Sequence, residues 1–235
     1  MKTYFQPHKK TFPPCVIGTV TDWDTWLEST NATSIVPCFA LELRVDALPA
    51  KISATDIQSR QCRKPVLVTI RHHDEGGLRQ IDEKERIALM SELMSMSTAI
   101  DWEIRHIKGA EALLQQARNA SVKIIASWHD FEKTPSLAEL QELETYARSQ
   151  GADLVKFAFR LNTLEDMMIG AQLIREAKGP IAVMGMGPLG PTSRMLYSQL
   201  GSALIYGYLG DTPAAPGQWP TKLCSEVLDN LKPLN

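Results

Sequence analysis

The sequence predicts a (β/α)8 barrel, the TIM-barrel form of the α/β class, with residues 1–235 forming a single domain. Three observations point there. Eight short β-rich runs follow one another at roughly 20- to 30-residue intervals. Helix-like stretches lie between them. Along several runs, polar and apolar residues alternate. Strand counting alone leaves an open doubly wound sheet as the rival. No GxGxxG follows the first run, so a dinucleotide site of that kind lacks its mark.

The residues before Cys15 read as an N-terminal extension, residues 1–14, that plugs the bottom of the barrel or forms a hairpin there. The eight strand candidates are residues 16–20, 38–45, 65–71, 99–105, 123–129, 154–159, 180–186 and 203–209. Asp82-Glu83-Lys84-Glu85 reads as a capping box, followed by Ile87, Met90, Leu93 and Met94 on one helix face. Thr134-Pro135 reads as an N-cap with Pro at the first helical position. Leu137, Leu140, Leu143 and Ala147 then make an apolar stripe. Residues 109–118, 163–177 and 221–231 are further helices, and Arg194 opens another. No Gly-, Pro- or Ser-rich linker divides the chain.

Side chains alternate faces along a strand. In the second run Phe39, Leu41, Leu43 and Val45 share one face, and Glu42, Arg44 and Asp46 the other. Thr69 and Arg71 oppose Val68 and Ile70. Asp101, Glu103 and Arg105 oppose Ile100, Trp102 and Ile104. Ser127 and His129 oppose Ala126 and Trp128, and Lys156 stands among apolar neighbours. With the apolar faces against the helices, Glu42, Arg44, Arg71, Asp101, Glu103, His129 and Lys156 converge inside the barrel or at its mouth. Structural barrel interiors favour Val, Ile and Leu. Burying so many charges is unfavourable unless they pair with one another or with a ligand. The convergence therefore reads as a catalytic site, and the bland alternative is an internal ion-pair network.

Composition excludes other classes. The charges nearly cancel, 25 Lys+Arg against 27 Asp+Glu, which gives phosphate-driven nucleic-acid binding no support. No stretch of about 20 apolar residues offers a membrane span. The first 14 residues lack a signal-peptide core, and Cys15, Cys38, Cys62 and Cys224 form no CxxC pair. A reducing cytoplasm fits this cysteine usage.

Lys156 is the most pointed residue. Desolvation inside a strand and neighbouring cations lower an amine's pKa, and a neutral amine attacks a carbonyl to form a Schiff base. His129, at the end of its run, suits proton transfer near neutral pH. Glu75 reads either as the group that holds the His129 tautomer or as part of a plain acidic turn, with Gly76-Gly77 allowing the chain to turn tightly. Residues 184–194 are glycine-rich but lack the GK[ST] ending of a P-loop. Arg194 offers a planar fork for a carboxylate. Residues 214–218 read either as a plain loop or as a mobile lid whose Gln218 is able to hydrogen-bond substrate hydroxyls.

Together these motifs resemble type I 3-dehydroquinate dehydratase, the class I Schiff-base enzyme of the shikimate pathway. The pieces that carry the resemblance are Glu42 to Asp46, Thr69-Ile70-Arg71 with Glu75-Gly76-Gly77, and Ser127 to Phe131. Gly151 to Lys156, Met184-Gly185 through Ser193-Arg194, Gly201-Ser202 and Ala215 to Gln218 follow in family order. The resemblance implies a cytoplasmic homodimer of barrels that needs no metal or organic cofactor. It implies that Lys156 forms the imine with the C3 ketone of 3-dehydroquinate. His129 would take the C2 proton and help hydroxide leave as water, and Glu75 would orient His129. Arg194 would grip the substrate carboxylate, while Glu42, Arg44, Arg71 and Gln218 would bind hydroxyls and frame the site. The chain departs from the pattern at Ala214, where many relatives carry Ser. Residues 1–37 carry no matching motif. A class I aldolase acting on phosphorylated sugars and a catalytically dead quinate-type binding protein are the competing expectations.

Overall fold

The computed structural model describes residues 14–31 and 33–232. The plug expected in residues 1–14 lies outside them except for Pro14. Eight parallel strands alternate with eight helices: β1 (Cys15–Val20), α1 (Trp23–Thr30), β2 (Ala40–Arg44), α2 (Ala54–Gln58), β3 (Val66–Thr69), α3 (Glu83–Leu93), β4 (Ala99–Glu103), α4 (Glu111–Asn119), β5 (Lys123–Asp130), α5 (Leu137–Ser149), β6 (Leu154–Arg160), α6 (Leu164–Glu176), β7 (Ile181–Met186), α7 (Gly190–Leu200), β8 (Leu204–Tyr208) and α8 (Thr221–Asn230).

The hydrogen-bonded ladder runs from β7 through β6 down to β1 and on to β8. Two bonds draw its ends together and nearly close the barrel. The Ala203 N–H donates to the Ile181 carbonyl at 2.7 Å. The Val183 N–H donates to Ser202 Oγ at 3.0 Å. Ser202 thus satisfies an edge donor that no strand neighbour reaches.

The strand alternation separates two cores. Leu41, Leu43, Val68, Ile70, Ile100, Trp102, Ala126, Trp128, Val155 and Phe157 face the helices. Ile17, Ala40, Leu67, Ala99, Ile125, Leu154, Ala182 and Leu204 fill the lower interior. Phe39 departs from its expected face: it precedes β2 and packs against the interior cluster. Arg105 departs too. After Glu103 the chain enters a 3-10 turn, which breaks the period of two and leaves the Arg105 side chain 42% exposed.

Local chemistry starts the helices. Asp82 caps α3 by accepting the Glu85 N–H at 2.9 Å. The expected cap at Thr134-Pro135 is corrected. Ser136 caps α5, in a reciprocal box with Glu139, because Thr134 Oγ1 instead donates to the Arg160 carbonyl. Helix α6 begins in the same way, with Thr163 and Asp166. Helices α1 and α2 were not anticipated. Asp22 caps α1 and a Ser53–Asp56 box caps α2. Among the described residues, no helix is long and apolar enough to cross a membrane.

Candidate active site

The upper ends of the strands open into a cavity lined by the eight side chains given site roles from the sequence: Glu42, Arg44, Arg71, Glu75, His129, Lys156, Arg194 and Gln218. They come from β2, the loop after β3, β5, β6, α7 and the segment after β8. Asp101 and Glu103, also expected to converge there, are fully buried and do not line it.

Lys156 points inward because Val155 and Phe157, its neighbours in β6, take the helix-facing side. Across the barrel it meets carboxylates that its own strand does not show. Nζ donates to Asp101 Oδ2 at 2.8 Å and lies 3.9 Å from Glu42 Oε1. The Tyr206 ring sits 4.5 Å from Nζ, a favourable face for a cation. Asp101 comes from β4, two strands away in the ladder, and alternation along β6 could not place it beside Lys156. Burial opposes the charge on Asp101, yet Arg71 and Lys156 hold its carboxyl far below the usual carboxylate range. It therefore anchors the ammonium and is a poor acceptor for its proton.

His129 is held at two points by one oxygen. Its backbone N–H donates to Glu75 Oε2 at 2.8 Å, and Nδ1 lies 2.9 Å from the same atom. An ionised Glu75 makes Nδ1 the donor and leaves Nε2 unprotonated. Burial, then the charges of Arg71 and Lys156, hold the imidazole well below its ordinary range, so it is neutral at pH 7. Burial pushes Glu75 up to about 7, against the pull of Arg71. Its Oε1 accepts no hydrogen bond, and Arg105 approaches it at 3.4 Å.

The turn carrying Glu75 needs its glycines. Gly76 has φ 88°, in the left-handed region. A Cβ on Gly77 would collide with the Arg71 carbonyl. The turn is also tied to β2. Arg44 forks onto Asp46 at 2.9 and 2.7 Å and donates to the Gly76 carbonyl at 3.1 Å.

Arg71 ties the frame together through Nη1. Its Nη1 lies 2.9 Å from both Asp101 and Glu103 and donates to Ser127 Oγ at 2.7 Å. Glu103 in turn receives Arg86, a fully buried side chain stacked 4.4 Å over Trp102. Glu42 accepts from Thr19 at 2.8 Å and from Thr69 at 2.9 Å.

Arg194 differs from the other buried cations. It is 5% exposed, donates only to the Tyr206 carbonyl at 3.1 Å, and leaves Nε without an acceptor. Burial pushes it down to about 10. No carboxylate of the described residues pairs with it, so the cavity offers a charged fork for an anion that the protein does not supply. Gln218 reaches in from above. Its Nε2 donates to Thr19 Oγ1 at 3.2 Å, and its Oε1 accepts the Ala214 N–H at 2.8 Å. The glycine-rich segment after β7 spends its own donors: Gly190 N–H goes to the Gly187 carbonyl and Ser193 N–H to that of Leu189. That leaves little of a phosphate cradle.

Thr19 and Tyr206 line the cavity without having been singled out from the sequence. Thr19 was within reach, since alternation in β1 puts it on the face of Ile17, a lone polar group in an apolar run. Tyr206 gave no signal, because an aromatic residue in a strand reads as ordinary core. Its hydroxyl is buried without a hydrogen-bond partner.

Comparison with known proteins gives one answer. A family model described as Type I 3-dehydroquinase matches residues 14–235. A 3-dehydroquinate dehydratase of Methanocaldococcus jannaschii is 34% identical over 189 residues, covering 80% of this chain and 84% of that protein. Its counterpart in Geobacillus thermodenitrificans is 30% identical over 232 residues, covering 92% and 90%. A crystal structure of type I 3-dehydroquinate dehydratase from Clostridium difficile, with covalently modified comenic acid, superposes with a TM-score of 0.81 at 25% identity, covering 94% and 93% of the two chains.

Proposed function

The chain belongs to the type I 3-dehydroquinase family and is a hydro-lyase that removes water from 3-dehydroquinate; from that premise we propose how its residues divide the reaction. The observation that carries the assignment is Arg194, a buried guanidinium without an acid partner facing the same cavity as Lys156 and a neutral His129.

Arg194 binds the substrate carboxylate and so orients the ring. Lys156 gives up its proton as substrate enters, and His129 is the neutral acceptor, since Asp101 stays ionised. The free amine attacks the C3 carbonyl, His129 returns its proton to the departing oxygen, and water leaves, giving a protonated imine and a neutral His129. That cation draws electron density from C2. Nε2 of His129 takes the C2 proton and an enamine forms. The enamine expels the C1 hydroxyl, to which His129 returns the proton, and water departs. Hydrolysis of the imine frees 3-dehydroshikimate and restores Lys156. Glu75 keeps His129 in the tautomer this work needs, and Arg71 and Arg44 hold the frame. Glu42 and Gln218 take substrate hydroxyls, with Gln218 exchanging its bond to Thr19 for one to the substrate.

Borohydride added during turnover tests this division of labour. A stable adduct is expected on the peptide carrying Lys156. In His129→Ala the adduct stays measurable but forms more slowly, while turnover falls by about 10²- to 10⁴-fold. An active enzyme that yields no adduct, or a His129→Ala variant at full rate, contradicts it.

We also infer a single barrel domain that pairs as a homodimer in the cytoplasm. Support comes from the family resemblance and from Leu164 and Met168, one turn apart on α6 and 61% and 60% exposed. Four free cysteines fit a reducing compartment. Sedimentation of Met168→Glu beside the unmodified chain tests the pairing: the variant is expected to run as a monomer.

A further inference from the structure

Beside the cavity, the loop after β3 and the turn after β4 bring together imidazoles that the reaction does not use. His72 and His106 stack with ring centroids 4.0 Å apart and planes tilted by 29°. Glu83, the first residue of α3, brings Oε1 to 3.8 Å from His106 Nδ1. One donor atom from each of His72, Glu83 and His106 lies within 4.8 Å of the other two, and all three residues are partly buried.

We propose that His72, Glu83 and His106 bind one divalent transition ion of the zinc class. Two imidazole nitrogens and one carboxylate oxygen are the donor set that such borderline ions prefer over Mg²⁺ or Ca²⁺. Bonds of about 2.0–2.1 Å to a shared ion require the donors to draw in by roughly 1 Å, within reach of side-chain rotation. Three protein ligands leave a fourth position to water.

The donors are held from behind, as metal ligands usually are. Oε2 of Glu83 accepts Arg86 Nη1 at 2.6 Å, which leaves Oε1 toward His106. Arg86 also binds Glu103, and Glu103 Oε1 accepts the His72 backbone N–H at 2.9 Å. One buried carboxylate therefore anchors two of the three ligands. His72 Nδ1 accepts the Asp74 N–H at 3.2 Å, so its Nε2 is the atom left for an ion. The charges of Glu83 and Glu103 offset that of Arg86. A second grouping, His72 with His73 and Asp74, is weaker. Its Asp74 side chain is 61% exposed and already pairs with His73 at 2.8 Å.

The site lies outside the catalytic cavity, and the dehydration chemistry does not call on it. It does touch the Glu75 turn, because the His72 carbonyl accepts the N–H groups of Glu75 and Gly77, each at 3.0 Å.

The test uses untagged full-length protein stripped with a chelator, then titrated with Zn²⁺ against a chromophoric chelator and melted with and without the metal. One equivalent per chain and a Zn²⁺-dependent rise in Tm are expected. His106→Ala and Glu83→Gln should each weaken binding by about tenfold or more and abolish the rise. His73→Ala should keep both. Loading the unmodified chain with Co²⁺ should give the intense visible bands of a tetrahedral site, which makes the outcome independent of how any variant folds. The proposal is overturned by an absence of binding, by unchanged affinity in His106→Ala, by loss in His73→Ala alone, or by a Co²⁺ spectrum of the free aqua ion.

Discussion

Two adjacent layers of the barrel interior make an instructive pair. The lower layer is Ile17, Ala40, Leu67, Ala99, Ile125, Leu154, Ala182 and Leu204. One strand period further along come Thr19, Glu42, Thr69, Asp101, Ser127, Lys156, Met184 and Tyr206, two residues and about 6.6 Å up each strand. Every residue in both layers is buried. Burial therefore does not separate them; hydrogen-bond satisfaction does. The upper layer tolerates its charges because Thr19 and Thr69 donate to Glu42, while Lys156, Ser127 and Arg71 surround Asp101. Where the network ends, on β7 and β8, the layer reverts to Met184 and Tyr206. The lower layer fixes the shape of the ring, and the upper layer spends stability on a site.

The largest expected contrast sets Lys156→Met against Leu67→Ala. The first should lower kcat by about 10⁴-fold or more, read by absorbance of the enone product. The second should leave kcat within a few-fold but lower unfolding stability by about 2–5 kcal/mol in a denaturant titration. A Leu67→Ala enzyme with intact stability would erase the distinction.

Arg71→Met should blur it, because Arg71 both frames the site and neutralises Asp101 and Glu103. Two buried carboxylates lose their main counter-charge, so a loss of about 3–5 kcal/mol should accompany the loss of rate. A stable but inactive variant would assign Arg71 to the chemistry alone.

Glu75 sharpens the comparison through pH. Its pKa rises from 4.5 to about 7 on folding, so the folded state holds the extra proton between those values. Stability from this group is lost as pH climbs from about 4.5 to 7, by about 3 kcal/mol. Melts of Glu75→Gln and the unmodified chain should diverge over that window, with the variant gaining relative stability as pH rises. The kcat/KM profile should lose its acid limb near 7 in the variant. Parallel stability curves would mean that Glu75 titrates normally.

The smallest effect is expected at Tyr206→Phe, on the border of the network. The lost hydroxyl has no partner, so stability should stay the same or rise slightly. The ring face under Lys156 remains, and kcat should change by less than about tenfold. A larger fall would make the hydroxyl a substrate contact.

Much of this arrangement was legible in the chain. Short β-rich runs at regular spacing marked the eight strands, and alternation of period two marked the inward face of Glu42, Asp101, Ser127 and His129, because pleating fixes side-chain direction residue by residue. Helices α1 and α2 escaped because eight and five residues are too short to show a helical stripe. Thr134-Pro135 misled because a local cap competed with a bond to Arg160 across the fold. Arg86 carried no sequence signal of its own, since nothing nearby in sequence marks Trp102 and Glu103 as its cover.

Local sequence, then, settled which residues extend, which coil, and which side of each strand carries charge, because those properties depend on neighbours a few bonds away. Ring closure decided the rest. It brought Lys156 onto Asp101 across 55 residues and Glu75 onto His129 across 54. It also left Arg194 without an acid. The protonation of a buried group depends on the charges within a few ångströms, and only the folded chain assembles those.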